Sequence, residues 1–323
     1  MRDLSNNPRR AGRIYAPERS LTVAAHLRGS VQGTLHMVQW YLHQGADRLV
    51  LYFDNPQDAA IPLLADMPRI TCVPCTPAFW KKQGAPLTLS LAERRDLVLE
   101  RAYEGVADGW FLGVEADELA LLDGRTLAEE AFAQPGDIRA FRLPSAERLE
   151  TPGLTDTVHF RIAMPRPVQA AVYGALACVM YPRAGMMSPV TGRTVLRAGL
   201  DARPRADHWL DRTAGGVICD RLVTPQEGGF ILQYLPEGYE SWLGKLPLWM
   251  SAPSFRDPIR EVLMPILEGP TPETDLRALF AEAYVFDEAR LAALDQGDAR
   301  FEMDAGYANV AFDGSEGWAA WAA

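Results

Sequence analysis

Several features that would point to a broad functional class are scarce in this sequence. Only four of the 323 residues are cysteine, too few for a framework of disulfides. No run approaches the roughly 18 apolar residues that a membrane-spanning helix needs, and residues 1–13 lack the apolar core of a secretory signal. Lysine and arginine, 32 in all, are outnumbered by 42 acidic residues, which argues against a general nucleic-acid binder. These absences predict a cytoplasmic protein without a transmembrane segment or a nucleic-acid partner.

What the chain does have is a cluster of acids directly after an apolar run. The residues before it are mostly apolar, three carboxylates then fall within four positions (Glu115, Asp117 and Glu118), and apolar residues resume at Leu119. Strand alternation would direct Glu115 and Asp117 to the same side, where two like charges repel. A divalent cation is the simplest neutraliser, and carboxylate oxygens suit Mg²⁺ or Mn²⁺. The cluster therefore predicts a metal site, with a solvated acidic turn at a strand end as the alternative.

The first 120 residues alternate between strand-like and helix-like segments. Segments with helical periodicity separate short apolar runs that end in turn residues, and Ser90 with Glu93 has the pattern of a capping box. This alternation is typical of an α/β fold with a Rossmann-type, mostly parallel sheet flanked by helices. The strands are predicted at 21–27, 48–53, 70–74 and 110–114, and the helices at 34–44, 61–66 and 90–105.

The carboxyl ends of these strands are where we expect a ligand. In open parallel sheets the functional crevice lies at that edge. Asp54 and Asn55 directly follow the second strand, and the acidic cluster follows the fourth. Two polar sites that converge on one edge favour the metal site over the solvated turn.

The second half of the chain is less regular. Strands are predicted at 137–143, 158–162, 192–198 and 229–234, and helices at 257–268, 273–284 and 287–294, whereas 165–187 stays unassigned. Since no linker divides the halves, we expect one domain over residues 1–250 and a helical C-terminal extension over 251–323. The aromatic tail with Trp318 and Trp321 is predicted to dock onto the body, with peripheral membrane contact as the alternative.

Several short motifs follow one another in an order that is characteristic of a family. They are residues 39–47 (QWYLHQGAD), 51–56 (LYFDNP), Arg94, 110–119 (WFLGVEADEL), 192–197 (GRTVLR), His208, 231–234 (ILQY), Trp242 and Lys245. Over roughly residues 20 to 250, their order and spacing resemble those of bacterial glycosyltransferase family 2-like proteins, close to the group often described as family 92-like.

The resemblance implies a GT-A fold, with a nucleotide-binding half at about 20–120 and an acceptor half at about 121–250. It implies transfer of a sugar from a nucleotide-sugar, UDP-linked above all, to a glycan or lipid-linked acceptor, as in polysaccharide biosynthesis. Mn²⁺ or Mg²⁺ would bridge the acidic motif and the donor diphosphate and neutralise the leaving group. The metal ligands that the resemblance implies are Glu115, Asp117 and His208.

Further residues are candidates for donor binding and catalysis. Asp54, with Asn55 beside it, would bond the nucleotide base or ribose, unless it only closes an Asx-turn. Four arginines are candidates for the diphosphate, because a guanidinium binds phosphate in a bidentate manner, or for surface ion pairs: Arg28, Arg94, Arg193 and Arg197. Glu118 is the first candidate for the general base that deprotonates the acceptor, with Asp207 behind it.

The chain departs from the family pattern at several positions. Glu115 stands where the family has aspartate, Gln233 where it usually has histidine, and Arg95 where the long helix usually has glutamine. These departures keep a second hypothesis open, a pseudo-glycosyltransferase that binds a ligand without turnover. A third hypothesis is a nucleotidyltransferase, to which the glycine-containing loop at residues 27–33 is a faint match.

Overall fold

The computed structural model describes residues 20–86, 88–234, 238–251 and 258–305 of the chain. Its strands are β1 (Leu21–Leu27), β2 (Arg48–Phe53), β3 (Ile70–Pro74), β4 (Trp110–Glu115), β5 (Glu118–Leu122), β6 (Ala140–Leu143), β7 (Ser145–Arg148), β8 (Thr157–Arg161), β9 (Arg193–Arg197), β10 (Ala202–Arg205), β11 (His208–Asp211), β12 (Arg221–Leu222), β13 (Gly229–Gln233) and β14 (Arg300–Asp304). Its α-helices are α1 (Val31–His43), α2 (Ile61–Leu64), α3 (Pro77–Lys82), α4 (Leu91–Glu104), α5 (Leu127–Ala133), α6 (Arg166–Tyr173), α7 (Ala177–Met180), α8 (Tyr239–Ser251), α9 (Pro258–Leu267), α10 (Pro272–Tyr284) and α11 (Glu288–Asp295). The predicted docking of Trp318 and Trp321 lies outside the described residues.

A seven-stranded sheet carries the N-terminal half of this α/β fold. The strand order is β12-β6-β9-β4-β1-β2-β3, and four of the six pairings are parallel. β1 lies between β2 and β4, and all seven of its residues are buried because helices cover both faces of the sheet. The bounds of β1, β2 and β3 agree with the prediction to the residue.

The sheet is mostly parallel, as predicted, and its antiparallel pairings all involve β9. β9 runs antiparallel to both β4 and β6. A second, five-stranded mixed sheet of order β14-β8-β7-β13-β5 was not predicted at all. β5 follows β4 after only Ala116 and Asp117, so the acidic motif is a tight turn between strands of two different sheets.

Helices α1 and α4 hold this turn from two sides. The Trp40 indole of α1 donates to the Ala120 carbonyl at 2.8 Å, and the Tyr41 hydroxyl donates to the Glu118 carbonyl at 2.8 Å. α4 begins with the predicted capping box, in which Ser90 and Glu93 bond each other's backbone amides. The bonds from α1 fix β5, the strand that follows the turn, and the capping box fixes the start of α4, the helix that precedes β4.

The C-terminal helices pack against elements of the preceding part of the chain. α8 to α11 pack with α6 and α7 around a second apolar core, and β14 then returns to pair antiparallel with β8. Residues on both sides of the predicted division at 250 therefore share one sheet and one core. Among the described residues no helix is long and apolar enough to cross a bilayer.

Gly192 places the start of β9, and its replacement gives a first prediction. Its φ is +61°, and a Cβ there would lie 1.9 Å from the Leu143 carbonyl oxygen. Gly199 also has a positive φ, +78°, but no atom lies near its missing Cβ. We expect Gly199→Ala to lower the free energy of unfolding by about 1–2 kcal/mol. We expect Gly192→Ala to cause a larger loss than Gly199→Ala, because the backbone around Leu143 must also move to make room for the Cβ. Urea denaturation of both variants measures the difference, and equal losses would contradict the steric explanation.

Candidate functional site

A cavity of about 670 Å³ opens at the carboxyl ends of β1, β2 and β4. Its walls are the loop after β1, the end of β2, the N-terminal part of α4, the turn between β4 and β5, and the first half of α8. The basic side chains that line it are Arg28, Arg95 and Lys245. The carboxylates that line it are Asp54, Asp58, Glu115, Asp117 and Glu240. The two polar sites predicted for this edge thus lie in one cavity.

Asp54 is the centre of a basic cluster at the end of β2. Its Oδ2 lies 3.3 Å from Arg28 Nε, and its Oδ1 lies 3.4 Å from Arg94 Nη1. The buried His26 approaches the same Oδ1 through Nε2 at 3.6 Å. His26, and then Arg28 and Arg94, hold the pKa of Asp54 below its ordinary value despite partial burial.

The two neighbours of Asp54 differ in exposure. The Arg28 side chain is 49% exposed and lines the cavity, so its guanidinium is open to a ligand. Arg94 lies over the Trp80 ring at 5.4 Å and does not line the cavity. The Asx-turn considered for Asp54 belongs to Asn55, whose side chain accepts from the Gln57 amide at 3.1 Å.

Glu115 lies between two arginines. Its Oε1 accepts from Arg95 Nη1 at 2.8 Å and from Arg193 Nη2 at 3.2 Å. Burial opposes the charge of this carboxylate, but Arg95 and Arg193 outweigh burial and lower its pKa to about 2. Glu115 is therefore an ionised partner of two fixed cations.

Glu118 is buried beneath the turn. Its Oε2 accepts from Arg193 Nε at 2.7 Å and from the Glu115 amide at 2.9 Å, and its Oε1 accepts from the Gln233 side chain at 2.8 Å. The residue does not line the cavity. In this arrangement Glu118 supports the turn, and its role as general base, which needs access to the acceptor, stays a prediction. Gln233 supports Glu118 and is no substitute for a metal-binding histidine.

Asp117 and Lys245 form the part of the site that faces α8. The Lys245 ammonium bonds Asp117 Oδ2, and both residues line the cavity. Burial alone would lower the pKa of Lys245, but Asp117 and Glu115 raise it, so the ammonium stays charged. α8 thus places a cation directly on the acidic motif.

Asp207 and His208 lie outside the cavity. Asp207 accepts from Arg193 Nη1 at 3.2 Å, so its carboxylate belongs to the ion-pair network around Arg193. His208 Nδ1 lies 2.7 Å from Arg142 Nη1, and an arginine can only donate. With Nδ1 as the acceptor, the neutral imidazole carries its proton on Nε2, so neither ring nitrogen offers a free lone pair to a metal while the Arg142 bond is in place.

Arg197 also lies elsewhere than predicted. Its guanidinium donates to the carbonyl oxygens of Gln134, Pro135 and Ile138 and lies 4.3 Å from the centre of the Trp110 ring. Arg193, by contrast, lies under the acidic motif and is buried. Of the two arginines of β9, Arg193 therefore bonds the acidic motif, and Arg197 bonds the loop before β6.

As they are arranged, these residues do not form the divalent-cation site that the resemblance implies. Cationic donors already occupy Glu115 Oε1 and Asp117 Oδ2, and His208 is not brought to either carboxylate. In the described part of the chain, no group of three or more His, Cys, Asp or Glu side chains is arranged to hold a metal. Cations of the protein itself neutralise the motif.

The depressed pKa of Glu115 gives a second prediction. Its folded-state value of about 2 lies below the ordinary 4.5, so its contribution to stability is present above pH 4.5 and is lost as the pH falls toward 2. We expect Glu115→Gln to flatten the fall of the unfolding free energy across this window. Urea denaturation at several pH values measures it, with the exposed Glu282→Gln as control. Identical pH profiles for the wild type and Glu115→Gln would contradict the ion pairing.

Sequence reasoning named the acids of the site but missed the roles of two cations. From the sequence, Arg95 stands out only as a departure from the family pattern, and Lys245 only as a motif position. The helical spacing of four between Leu91 and Arg95, which both line the cavity, could have indicated that Arg95 faces the sheet edge. No local signal indicates that Lys245 meets Asp117, 128 residues earlier.

Comparisons with known proteins add little to this geometry. No family model and no curated protein matches the chain. The crystal structure of glucosyl-3-phosphoglycerate synthase from Mycobacterium tuberculosis, in complex with Mn²⁺, UDP and phosphoglyceric acid, is similar to it at a TM-score of 0.28 and 13% identity. The similarity covers 55% of this chain and 56% of that one, so the chain spans little more than half of its length. A likeness of this size does not assign a family.

Proposed function

We propose that the chain is a glycosyltransferase with a GT-A-like nucleotide-binding half, which transfers a sugar from a nucleotide-sugar to a glycan or lipid-linked acceptor. The observation that carries the proposal is the shared cavity, where Asp54 and the acidic turn lie at the carboxyl ends of neighbouring parallel strands. A volume of about 670 Å³ is within the size range of small-molecule sites.

The charges of the cavity divide it into two parts. At the end of β2, the ionised Asp54 can accept hydrogen bonds from ribose hydroxyls or a base, and Arg28 can contact phosphate. At the turn after β4, Arg95 and Lys245, which the acidic motif holds in place, can donate charge-assisted hydrogen bonds to a diphosphate. Fixed cations stabilise the negative charge that develops on a leaving diphosphate, since they need no reorganisation during the reaction.

The same geometry supports one alternative, a binding module without turnover. Neither Glu118 nor Asp207, the predicted general bases, lines the cavity, and both accept hydrogen bonds from the buried Arg193. A protein that kept the nucleotide cavity but lost its base would bind a nucleotide without releasing sugar. Turnover of any donor separates the two functions.

Calorimetric titration with UDP and with GDP tests the proposal. Each nucleotide is titrated once with Mn²⁺ and once with EDTA, so that binding is detected whatever its metal requirement. We expect saturable binding of one nucleotide per chain, with UDP preferred. If neither nucleotide binds under either condition, the proposed donor site is wrong. Hydrolysis of a bound UDP-sugar then identifies a transferase, whereas binding without any hydrolysis or transfer identifies the binding module.

A further inference from the structure

The acidic motif has a complete set of counter-charges from the protein. Its three carboxylates, Glu115, Asp117 and Glu118, lie within four positions of the turn between β4 and β5. Three cations from three distant elements contact them: Arg95 from α4, Arg193 from β9 and Lys245 from α8. Three negative charges therefore meet three positive ones in the turn itself.

Lys245 contacts Asp117, one of the carboxylates that the resemblance assigns to a metal ion. Its ammonium bonds Asp117 and also interacts electrostatically with Glu115 and Glu118, so one cation stabilises all three carboxylates. A divalent ion at the same carboxylates would lie beside the ammonium and the Arg95 guanidinium, and like charges at such distances repel strongly in a partly buried site. Lys245 and Arg95 also line the cavity, so their charge faces whatever ligand enters.

Two further carboxylates complete the surroundings of the network. Asp96 contacts Arg95 and accepts from the Ala206 amide, and Asp207 contacts Arg193. Neither Asp96 nor Asp207 lines the cavity. They hold the two arginines in place, while Lys245 has the acidic motif as its partner.

We propose that this cavity binds the diphosphate of a nucleoside diphosphate without a divalent cation, and that Lys245, supported by Arg95, takes the ion's place as the positioned cation that bonds the phosphate oxygens. The inference rests on the proposed function, because it concerns the same donor site. It predicts a donor site whose affinity depends on a lysine of α8 and not on the metal content of the buffer.

The affinity of the full chain for UDP, measured by calorimetry, tests this directly. We expect the Kd in EDTA to lie within about threefold of the Kd in Mn²⁺. Binding that requires Mn²⁺ would overturn the inference and leave the proposed function standing. Absence of binding under both conditions would overturn the donor site itself, so the two failures are distinguishable.

A variant of Lys245 gives the second measurement. Lys245→Met keeps an unbranched side chain that ends before the ammonium and so removes the charge, and we expect the Kd for UDP in EDTA to rise by about tenfold or more. Because this variant leaves Asp117 without its cation, Mn²⁺ should tighten its binding of UDP, an effect that a merely structural lysine would not produce. Arg260→Met, at an exposed position of α9, is the control and should match the wild type. Unchanged affinity in Lys245→Met, or no response of that variant to Mn²⁺, would contradict the assignment.

Discussion

Replacing Asp117 with alanine is expected to lower the rate of donor hydrolysis by about 100-fold or more. Asp117 is the only hydrogen-bonding carboxylate partner of Lys245 among the described residues, and it holds the ammonium at the wall of the cavity. Without it, the lysine loses its fixed position, and charge that is no longer preorganised stabilises a leaving diphosphate poorly. Release of UDP from a UDP-sugar, followed at saturating donor, measures the effect.

Two comparisons make the Asp117 result specific. Asp137→Ala changes an exposed aspartate of the loop before β6 and should leave the rate unchanged. Asp117→Asn keeps an oxygen that accepts from Lys245, so we expect a rate between those of the wild type and Asp117→Ala. Full activity in Asp117→Ala would rule out a catalytic site at this turn, and with it the proposed transferase.

Arg161→Met is expected to lower the free energy of unfolding by about 3–5 kcal/mol. Arg161 of β8 and Glu147 of β7 are both fully buried, with Arg161 Nε at 2.7 Å from Glu147 Oε2. The guanidinium also donates to the Ala283 carbonyl, at the end of α10, and lies 5.0 Å from the centre of the Tyr284 ring. Removal of the arginine leaves the buried Glu147 carboxylate with the Met187 and Ser188 amides but without a cation, and it removes the bond from β8 to α10.

Urea denaturation measures the free energy of unfolding of Arg161→Met, and two further variants serve as comparisons. Arg101→Met breaks an exposed pair with Glu104 on α4, so it should change stability far less. Glu147→Gln removes the other charge and keeps an acceptor, so the double variant with Arg161→Met should be more stable than Arg161→Met alone. A loss in Arg161→Met no larger than that in Arg101→Met would show that this pair does not hold the two parts together.

The N-terminal strands were predictable because their signals are local. β1, β2 and β3 are short apolar runs bounded by turn residues, and the predicted bounds agree with the structure. The capping box of α4 is also a local pattern, and it is present. These features depend on residues within a few positions of one another.

The second sheet was not predictable in the same way. β5 begins at Glu118, inside the acidic cluster, so its first residue gives a turn signal instead of a strand signal. Its partner β13 lies more than 100 residues later, and β14 joins the sheet from beyond the C-terminal helices. Pairings between such distant segments leave no mark in local periodicity.

The candidate site also combines positions that local sequence signals predict with contacts between distant residues that they do not predict. Asp54, Glu115 and Asp117 could be placed at one edge because parallel strands end together. Their partners could not, since Arg193 is 78 residues from Glu115 and Lys245 is 128 residues from Asp117. The sequence therefore indicated acids in need of neutralisation, and only the fold shows that arginine and lysine side chains provide it.

A crystal structure of the chain soaked with UDP and EDTA tests the central claim most directly. The account predicts UDP in the cavity at the carboxyl ends of β1, β2 and β4, with the nucleoside beside Asp54 and the diphosphate on Arg95 and Lys245. UDP bound at another surface, with this cavity free of nucleotide in the same crystals, would contradict it.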